Sequence, residues 1–300
     1  MSQQLSIEVE DIAVHTSIRT QKSELWFINN PLLVNEVKAY LAKYVFKYGV
    51  HLYAAEIMGN HIHIVAKYPN KNRADFKRDF FSQVARITKR RTTFGEGKLW
   101  SGRSSDQFLP NNEDILYYFY YVVLNPISSG VTRHIKSYKG LNLFDDIIQK
   151  QNLKYQVINY ADFANRKRYN QDLQLQDCVE EYSLKCHRLP GYESLSENEY
   201  LQFLKNELKI RSAAAIETRI KEGKGFLENK KLIVGSHPRE TKKSKLKPIV
   251  LSLCYESKML MLEWYKSIRK WFIESSHRYR NGELEVLFPS GTYRPHFFKF

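Results

Sequence analysis

Two histidines separated by one residue, His61 and His63, have the clearest capacity for chemistry in this sequence. The turn residues Gly59 and Asn60 precede them, and apolar residues such as Ile62 alternate with them, which is typical of a β-strand entered from a tight turn. Because alternate residues of a strand share a face, both imidazoles project to one side. Such a pair is half of a divalent-metal site. A solvated pair on an exposed strand is the alternative interpretation.

A tyrosine-rich segment provides the second reactive group. Tyr117, Tyr118, Tyr120 and Tyr121 fall within five residues, and Asn125 follows. At helical spacing Tyr117, Tyr121 and Asn125 share one face, so a phenol and an amide oxygen could reach a metal held by the histidines. A tyrosine near a cation is a legitimate covalent nucleophile. Tyr117 is the alternative candidate for the nucleophile. A purely structural role, with the tyrosines packed in a core, is the non-catalytic interpretation of this helix.

The elements that must position these groups alternate between strand and helix patterns. Their order predicts an α+β fold, a ferredoxin-like or palm-like core in which helices flank a central antiparallel sheet. The expected elements are a strand at Ile18–Ile28, a helix at Leu33–Tyr48, strands at Val50–Met58 and His61–Lys67, a helix at Ala74–Lys89, a short strand at Gln107–Leu109, and a helix from Asn111 to about Pro126.

The rest of the chain predicts a mainly helical C-terminal extension. We expect three parts: residues 1–148, which carry both reactive groups, a helical and comparatively acidic region at 149–235 of unknown role, and a basic region at 236–300. The last part contains a lysine-rich connector, Pro238–Pro248, and a helix from Leu253 to about Ser275.

The composition favours a polyanionic partner. The 300 residues carry 47 Lys and Arg against 32 Asp and Glu, a formal net charge of +15, and 14% are aromatic. Phosphates attract cations and unpaired bases stack on flat rings, so this combination suits a single-stranded nucleic-acid binder. A hydrophobic content of 43% excludes wholesale disorder.

The cysteines and the chain start indicate the compartment. Cys178, Cys186 and Cys254 are odd in number and lack CxxC spacing, which argues against a disulfide framework or a cysteine zinc site. The polar N-terminal residues do not resemble a secretory signal, and the apolar runs are too short to span a membrane. We therefore expect a cytoplasmic protein with no membrane partner.

Taken together, the two reactive segments resemble the single-tyrosine HUH transposases, and most closely the REP-associated tyrosine transposases of bacteria. Met58–Ile64 matches that family's Met-Pro-Asn-His-Val-His-hydrophobic strand, with Gly59 in place of proline. Tyr121–Val131 follows its Tyr-Ile-x-x-Asn-Pro-x-x-Ala-Gly-hydrophobic helix, with Ser129 in place of alanine.

Two shorter segments add to the resemblance, which covers about residues 15–145 well. Leu99–Arg103 is similar to the family's Trp-x-x-Arg segment. Phe288–Tyr293 is similar to a Phe-Pro-x-Gly-Thr-Tyr/Trp motif that ends a few members.

The resemblance implies an HUH catalytic domain at 1–148 that cleaves and rejoins single-stranded, hairpin-forming DNA such as repetitive extragenic palindromes. His61, His63 and Asn125 would bind Mg²⁺ or Mn²⁺. Tyr121 would attack a DNA phosphorus, displace the 3′-hydroxyl and form a 5′-phosphotyrosine. Such a protein would act in DNA transposition and recombination at the bacterial nucleoid, as a monomer or a homodimer.

Basic residues near and beyond the two motifs are the candidate DNA contacts. A solvated helix face is the alternative explanation for those on the helix at Ala74–Lys89. The candidates are Lys77, Arg78, Arg86, Lys89, Arg90, Arg91, Trp100, Arg103, Lys242, Lys243 and Lys245.

Two other functions remain open. The first is a domesticated relative that binds a DNA hairpin and no longer cuts. The second retains HUH chemistry for replication initiation or conjugative relaxation, but those relatives usually place the tyrosine differently. Gly97-Lys98 lacks the other residues of a Walker A motif, which argues against a nucleotide-driven helicase.

Overall fold

A central sheet of five strands organises the protein. The computed structural model describes residues 4–148, 153–227, 232–237 and 247–296. The strands of the central sheet are β1 (Ala13–Arg19), β2 (His51–Met58), β3 (His61–Lys67), β4 (Ser105–Leu109) and β5 (Leu141–Asn142).

The helices account for most of the remaining regular structure. They are α1 (Pro31–Tyr48), α2 (Arg73–Arg91), α3 (Asn112–Val123), α4 (Asn125–Ser128), α5 (Phe144–Ile148), α6 (Tyr160–Lys167), α7 (Glu197–Lys221) and α8 (Tyr255–Arg280). No described helix is both long enough and apolar enough to cross a bilayer.

The strand order confirms the predicted fold class. The strands lie in the order β4-β1-β3-β2-β5, and each neighbouring pair is antiparallel. With α1 between β1 and β2 and α2 between β3 and β4, this is the βαββαβ arrangement of a ferredoxin-like α+β core.

The two faces of the sheet differ in chemistry. On one face Ile62 and Ile64 pack with the buried residues of α1 and α2 in the larger apolar core. The other face carries His61 and His63 between the same isoleucines, and α3 packs against it through residues such as Phe119. The alternation of β3 therefore places the histidines under the tyrosine helix.

The first strand differs from its predicted position. The predicted strand at Ile18–Ile28 is observed as β1 at Ala13–Arg19, which pairs with both β3 and β4. Beyond Arg19 the chain leaves the sheet in a 3₁₀ turn at Gln21–Ser23, where Lys22 and Ser23 have positive φ angles of 50° and 59°. This turn ends the ladder, so the apolar residues that follow cannot extend the strand.

The part beyond residue 148 is mainly helical, as predicted. It also contains two antiparallel strands, β6 (Leu153–Ile158) and β7 (Val179–Leu184), which pack against α1. The helix expected at Leu253–Ser275 is observed as α8. The boundaries of the three expected parts stay a prediction.

A short segment at 247–251 extends the central sheet at its β4 edge. The Phe108 amide donates to the Ile249 carbonyl at 2.8 Å, and the Leu251 amide donates to the Phe108 carbonyl at 2.9 Å. Val250 is buried and forms a parallel bridge with Phe108. A distant part of the chain is thereby fixed beside the strand that neighbours β1.

A buried group of charged side chains joins α2 to the sheet. The side chain of Arg73 is 2% exposed, and its Nε lies 3.2 Å from Oδ2 of Asp106 on β4. The Lys77 ammonium contacts the same carboxylate, and the Thr16 hydroxyl donates to its Oδ1 at 2.9 Å. Burial opposes the charged form of Asp106, but Arg73 and Lys77 hold its pKa below the usual value.

The start of α2 is held by a residue from near the N-terminus. The Glu8 carboxylate accepts from the amides of Arg73 and Ala74 at 2.9 and 3.2 Å, which satisfies two donors of the first helical turn. The Glu8 amide in turn donates to the Gly291 carbonyl at 2.8 Å. Gly291 has φ +77°, and a side chain there would clash with the Glu8 carbonyl oxygen. Only glycine fits this contact without strain.

The carboxylate of Asp79 on α2 links this helix to α1. Asp79 accepts from the Tyr48 hydroxyl at 2.5 Å and from the Lys47 ammonium at 2.9 Å. Burial opposes the charged form, but these bonds and one from Arg78 outweigh it and lower the pKa of Asp79 to about 2.

Candidate active site

The polar face of the sheet gathers side chains from three neighbouring strands. His63 pairs in register with Ser17 on β1 and Glu56 on β2, while His61 pairs with Arg19 on β1. Directly opposite residues of antiparallel strands project to the same face. The two predicted histidines are thus surrounded by polar and charged groups, which a purely apolar core would not contain.

A third histidine, His15 on β1, joins the pair. Its Nε2 lies 2.9 Å from Nδ1 of His63, and the two rings stack with centroids 5.0 Å apart. On its other side, Nδ1 of His15 lies 3.1 Å from Oε1 of Gln107 on β4. His61 stands edge-on to His63 at 4.9 Å, and its Nδ1 lies 2.6 Å from Oδ1 of Asn60.

Burial keeps these imidazoles neutral. It lowers the pKa of His15 to about 4 and that of His61 to about 3, and the positive charges of Arg19 and Lys247 lower the pKa of His61 further. The pKa of His63 also lies well below the usual value, chiefly because of burial. At neutral pH the rings therefore carry lone pairs, which metal coordination requires.

Asn125 meets both His61 and a buried carboxylate. Its Nδ2 lies 3.2 Å from Nε2 of His61 and donates to Oε2 of Glu56 at 2.9 Å. The helix breaks at Leu124, so Asn125 starts the short helix α4. Glu56 is fully buried, and burial raises its pKa well above the usual value. Its Oε1 is buried with no hydrogen-bond partner among the described residues.

Tyr121 lies over the histidines. Its ring centroid is 5.9 Å from that of His63 and 5.8 Å from that of His15, edge-on in both cases. The side chain is 47% exposed, so one part faces the protein and another faces solvent. Partial burial raises the pKa of Tyr121, the Glu56 charge raises it further, and the Arg19 charge opposes both. A phenol here needs positive charge nearby to act as a nucleophile.

The other tyrosines of this helix have different environments. Tyr117 is 41% exposed and contacts Tyr118, whose ring lies 5.7 Å from that of His15. Tyr120 is 1% exposed, and its hydroxyl donates to the Leu204 carbonyl of α7 at 2.9 Å. Tyr120 is therefore part of the core, whereas Tyr121 combines solvent access with contact to the histidines.

The donor set fits a divalent cation. Two imidazoles, an amide and a carboxylate with one unpaired oxygen meet at this face, and nitrogen and oxygen donors of these types suit Mn²⁺. Among the described residues, no three His, Cys, Asp or Glu side chains are arranged to hold a metal by themselves. The Asn125 amide, the expected third ligand, is the group that would complete such a set.

Two cations border the histidines. Arg19 pairs in register with His61, and the Lys247 ammonium donates to the Ser17 hydroxyl at 2.6 Å. Burial lowers the pKa of Lys247, and the Arg19 charge lowers it further. This positive charge is suited to a phosphodiester lying across the face.

The predicted basic contacts on α2 fall into two groups. The residues of the first group form ion pairs with carboxylates: Lys77 with Asp106, Arg78 with Asp75 and Asp79, and Arg90 and Arg91 with Glu36. Arg86 is exposed and bonds to the neutral side chains of Gln83 and Ser82, and Lys89 lies over the Phe94 ring.

The second group lines a groove next to α2. Arg86, Lys89, Trp100 and Arg103 all border this groove, whose volume is about 600 Å³. The Trp100 indole donates to the Phe81 carbonyl at 3.0 Å, which leaves the ring half-buried. The other predicted contacts, Lys242, Lys243 and Lys245, lie outside the described residues.

Five polar residues of the site were not among the predicted site residues: His15, Arg19, Glu56, Gln107 and Lys247. The alternation from Val14 to Arg19, in which His15, Ser17 and Arg19 share a face, is the signal that could have revealed His15. A lone acidic residue in the apolar strand at 50–58 could have revealed Glu56. Gln107 and Lys247 become part of the site only through pairing between distant segments, which has no local signal.

Comparisons with known proteins provide little beyond this geometry. No model of a known protein family matches the sequence, and no curated protein matches it. A solved structure of a REP-associated tyrosine transposase bound to a REP hairpin is similar at 12% sequence identity and a TM-score of 0.43, over 50% of this chain and 87% of that one. A likeness this weak carries no functional argument, so the case rests on the site itself.

Proposed function

We propose that this protein is a metal-dependent endonuclease and strand transferase that acts on single-stranded, hairpin-forming, REP-like DNA through a covalent 5′-phosphotyrosine. One observation carries the proposal. His61 and His63 come from a strand and Tyr121 and Asn125 from a helix boundary far along the chain, yet they meet on one face. Packing alone does not require a nucleophile and three candidate metal ligands to converge there.

The chemistry follows from a phenol placed beside a phosphodiester. The Tyr121 hydroxyl loses its proton, and its oxygen forms a bond to phosphorus. The bond from phosphorus to the 3′ oxygen breaks, and that oxygen leaves with the electron pair and gains a proton. The DNA on the 3′ side stays attached to Tyr121 through its 5′ phosphate. Attack by another 3′-hydroxyl reverses the step and rejoins a strand without an external energy source.

The residues around the nucleophile have separate tasks. His61, His63 and Asn125 would hold the divalent cation, with Glu56 within reach of the same amide. When bound, Mg²⁺ or Mn²⁺ withdraws charge from the phosphate and orients it. Arg19 and Lys247 add positive charge that favours a bound phosphate. The Arg19 charge also favours the phenolate form of Tyr121.

The preference for hairpin DNA is taken from the motif resemblance. The groove beside α2 offers a surface on which such DNA could bind. Arg86 and Lys89 can contact phosphates along this groove, and the half-buried Trp100 forms part of its wall. Each such contact releases counterions, so affinity should fall steeply with salt.

The test uses hairpin oligonucleotides with single-stranded flanks, labelled at either the 3′ or the 5′ end, incubated with Mn²⁺ or Mg²⁺ and resolved on a denaturing gel. We expect the 3′ label to migrate with the protein and the 5′ label to be released as a shorter strand. Tyr121→Phe should abolish the adduct, and His61→Ala should abolish the metal-dependent reaction.

Tyr117→Phe is the matched control, because Tyr117 is on the same helix, is similarly exposed, and should not be required. An adduct that persists in Tyr121→Phe and disappears in Tyr117→Phe would show that the nucleophile is wrong. Tight hairpin binding with no adduct under any metal condition would instead support the catalytically silent binding protein.

A further inference from the structure

His15 and Gln107 have no task in the chemistry above, yet they are buried beside it. His15 is 3% exposed, Gln107 is 6% exposed, and the two pair in register across β1 and β4. Together they connect His63 to the backbone of the segment at 247–251 through three consecutive hydrogen bonds. The direction of each bond can be worked out from its far end.

The chain of hydrogen bonds begins at a group that can only accept. The Gln107 amide donates from Nε2 to the Pro248 carbonyl at 3.2 Å. A carbonyl has no proton to give, so the Gln107 NH₂ group faces Pro248 and its Oε1 faces His15. Pro248 is held in place because the next residue, Ile249, accepts from the Phe108 amide on β4.

The orientation of Gln107 then determines the ring protons. Because Oε1 accepts at 3.1 Å, the His15 proton is on Nδ1. A neutral imidazole carries one ring proton, so Nε2 of His15 is an acceptor. Its 2.9 Å contact with Nδ1 of His63 requires a proton on that Nδ1. The single proton of His63 is thereby used, and Nε2 of His63 is left as a lone pair.

His61 has an independent arrangement with the same outcome. The Asn60 amide donates from Nδ2 to the Ser23 carbonyl at 2.9 Å, which turns its Oδ1 toward Nδ1 of His61. The proton of His61 is therefore on Nδ1, and its Nε2 lone pair faces the Asn125 amide. Each histidine is thus fixed by a side-chain amide that ends on a backbone carbonyl.

We propose that Gln107 and His15 are positioning residues that hold His63 in its Nδ1–H tautomer, so that Nε2 is presented to the divalent cation. This rests on the proposed function for the identity of the cation. Partners of this kind fix the ring orientation of metal-binding histidines, and their loss lowers metal affinity by about 10–100-fold. The segment at 247–251 takes part because the Pro248 carbonyl sets the direction of the whole chain of bonds.

The test reads the tautomers directly. In protein labelled with ¹⁵N-histidine and free of metal and DNA, imidazole ¹H–¹⁵N correlation spectra at neutral pH distinguish a protonated ring nitrogen from a bare one. We expect His15, His61 and His63 each to carry the proton on Nδ1. A proton on Nε2 of His63 in the wild-type protein, or an even mixture, overturns the proposal, and this measurement needs no variant.

Gln107→Leu removes the acceptor while keeping a similar side-chain volume. We expect His63 to become a tautomer mixture while His61, held by Asn60, stays unchanged, and we expect the dissociation constant for Mn²⁺ to rise about 10–100-fold. An unchanged His63 tautomer and unchanged Mn²⁺ affinity in a folded variant overturn the proposal. A fixed His63 tautomer in a protein that binds Mn²⁺ but never forms a DNA adduct refutes the proposed function and leaves this inference standing.

Discussion

Lys77 and Arg86 lie on the same helix and were both predicted to contact DNA, but the structure gives them different surroundings. The Lys77 side chain is 14% exposed and contacts the Asp106 carboxylate, which is 15% exposed. Arg86 is exposed and bonds only to uncharged neighbours among the described residues. We therefore predict that Lys77→Met lowers stability and leaves DNA binding unchanged. Arg86→Met should weaken DNA binding and leave stability unchanged.

The size of the stability loss in Lys77→Met depends on the partners that the Asp106 carboxylate keeps. Removing one partner of a fully buried ion pair costs about 3–5 kcal/mol. Asp106 keeps Arg73 at 3.2 Å and the Thr16 hydroxyl at 2.9 Å, so most of its charge remains compensated. We expect Lys77→Met to cost about 1–2 kcal/mol, which corresponds to a fall in Tm of roughly 2–3 °C for a chain of this size.

The binding effect is measured as a salt dependence. Each phosphate contact contributes about 0.7 to the slope of log affinity against log salt for single strands, and about 0.9 for duplex DNA. Arg86→Met should lower the slope by about that amount, with the free energy of unfolding unchanged within about 0.5 kcal/mol. Fluorescence anisotropy with a labelled hairpin at several salt concentrations and urea unfolding give the two quantities. A lower salt slope together with unchanged stability in Lys77→Met would show that Lys77 contacts DNA and does not stabilise the fold.

Three further predictions concern single contacts. Tyr120→Phe loses the hydrogen bond to the Leu204 carbonyl and should cost about 1 kcal/mol of stability in urea unfolding, while the adduct on the denaturing gel persists; loss of the adduct would mean that the core tyrosine takes part in the reaction. For Asp79, a folded pKa of about 2 lies below the ordinary value of 3.8, so its carboxylate stabilises the protein above about pH 4 and loses this effect as the pH falls toward 2. The difference in free energy of unfolding between the wild type and Asp79→Asn should therefore shrink as the pH falls from 5 to 2. A difference that stays constant over this range would contradict the lowered pKa of Asp79. Gly291→Ala should lower Tm, because a side chain there clashes with the Glu8 carbonyl oxygen and φ is +77°; an unchanged Tm would show that the contact is dispensable.

The sequence predicted those parts of the site that depend on local geometry. The spacing of His61 and His63 is enough to place both imidazoles on one face of a strand. The four-residue spacing of Tyr121 and Asn125 keeps the two side chains close, although Tyr121 lies near the end of α3 and Asn125 begins α4. The order of strand and helix patterns likewise predicted the fold class, because few topologies accommodate it. Both bounds of the first strand were wrong, because β1 begins at Ala13 and ends at Arg19, and the 3₁₀ turn at Gln21–Ser23 separates it from the apolar residues at 25–28.

The remaining features depend on pairing between distant segments. Whether Lys77, Arg90 and Arg91 face DNA or a carboxylate depends on where Asp106 and Glu36 lie, and both carboxylates are distant from these basic residues in sequence. Lys247 and Pro248 reach the site only because their segment pairs with β4, and no periodicity in the connector indicates that pairing. Local patterns identify the candidate reactive groups, whereas the polar and charged residues that contact them are set by the register of the sheet.

The contact between Glu8 and Gly291 has a consequence for synthesis on the ribosome. The Glu8 amide cannot find its partner until residue 291 has been synthesised, because the partner carbonyl belongs to Gly291. Contacts between residues so distant in sequence form slowly, since a very long loop must close first. We therefore expect the β1–β4 core to assemble early in translation and the N-terminal segment to be secured last, so that premature termination before residue 291 should yield a chain with an ordered sheet and an unprotected Glu8 amide.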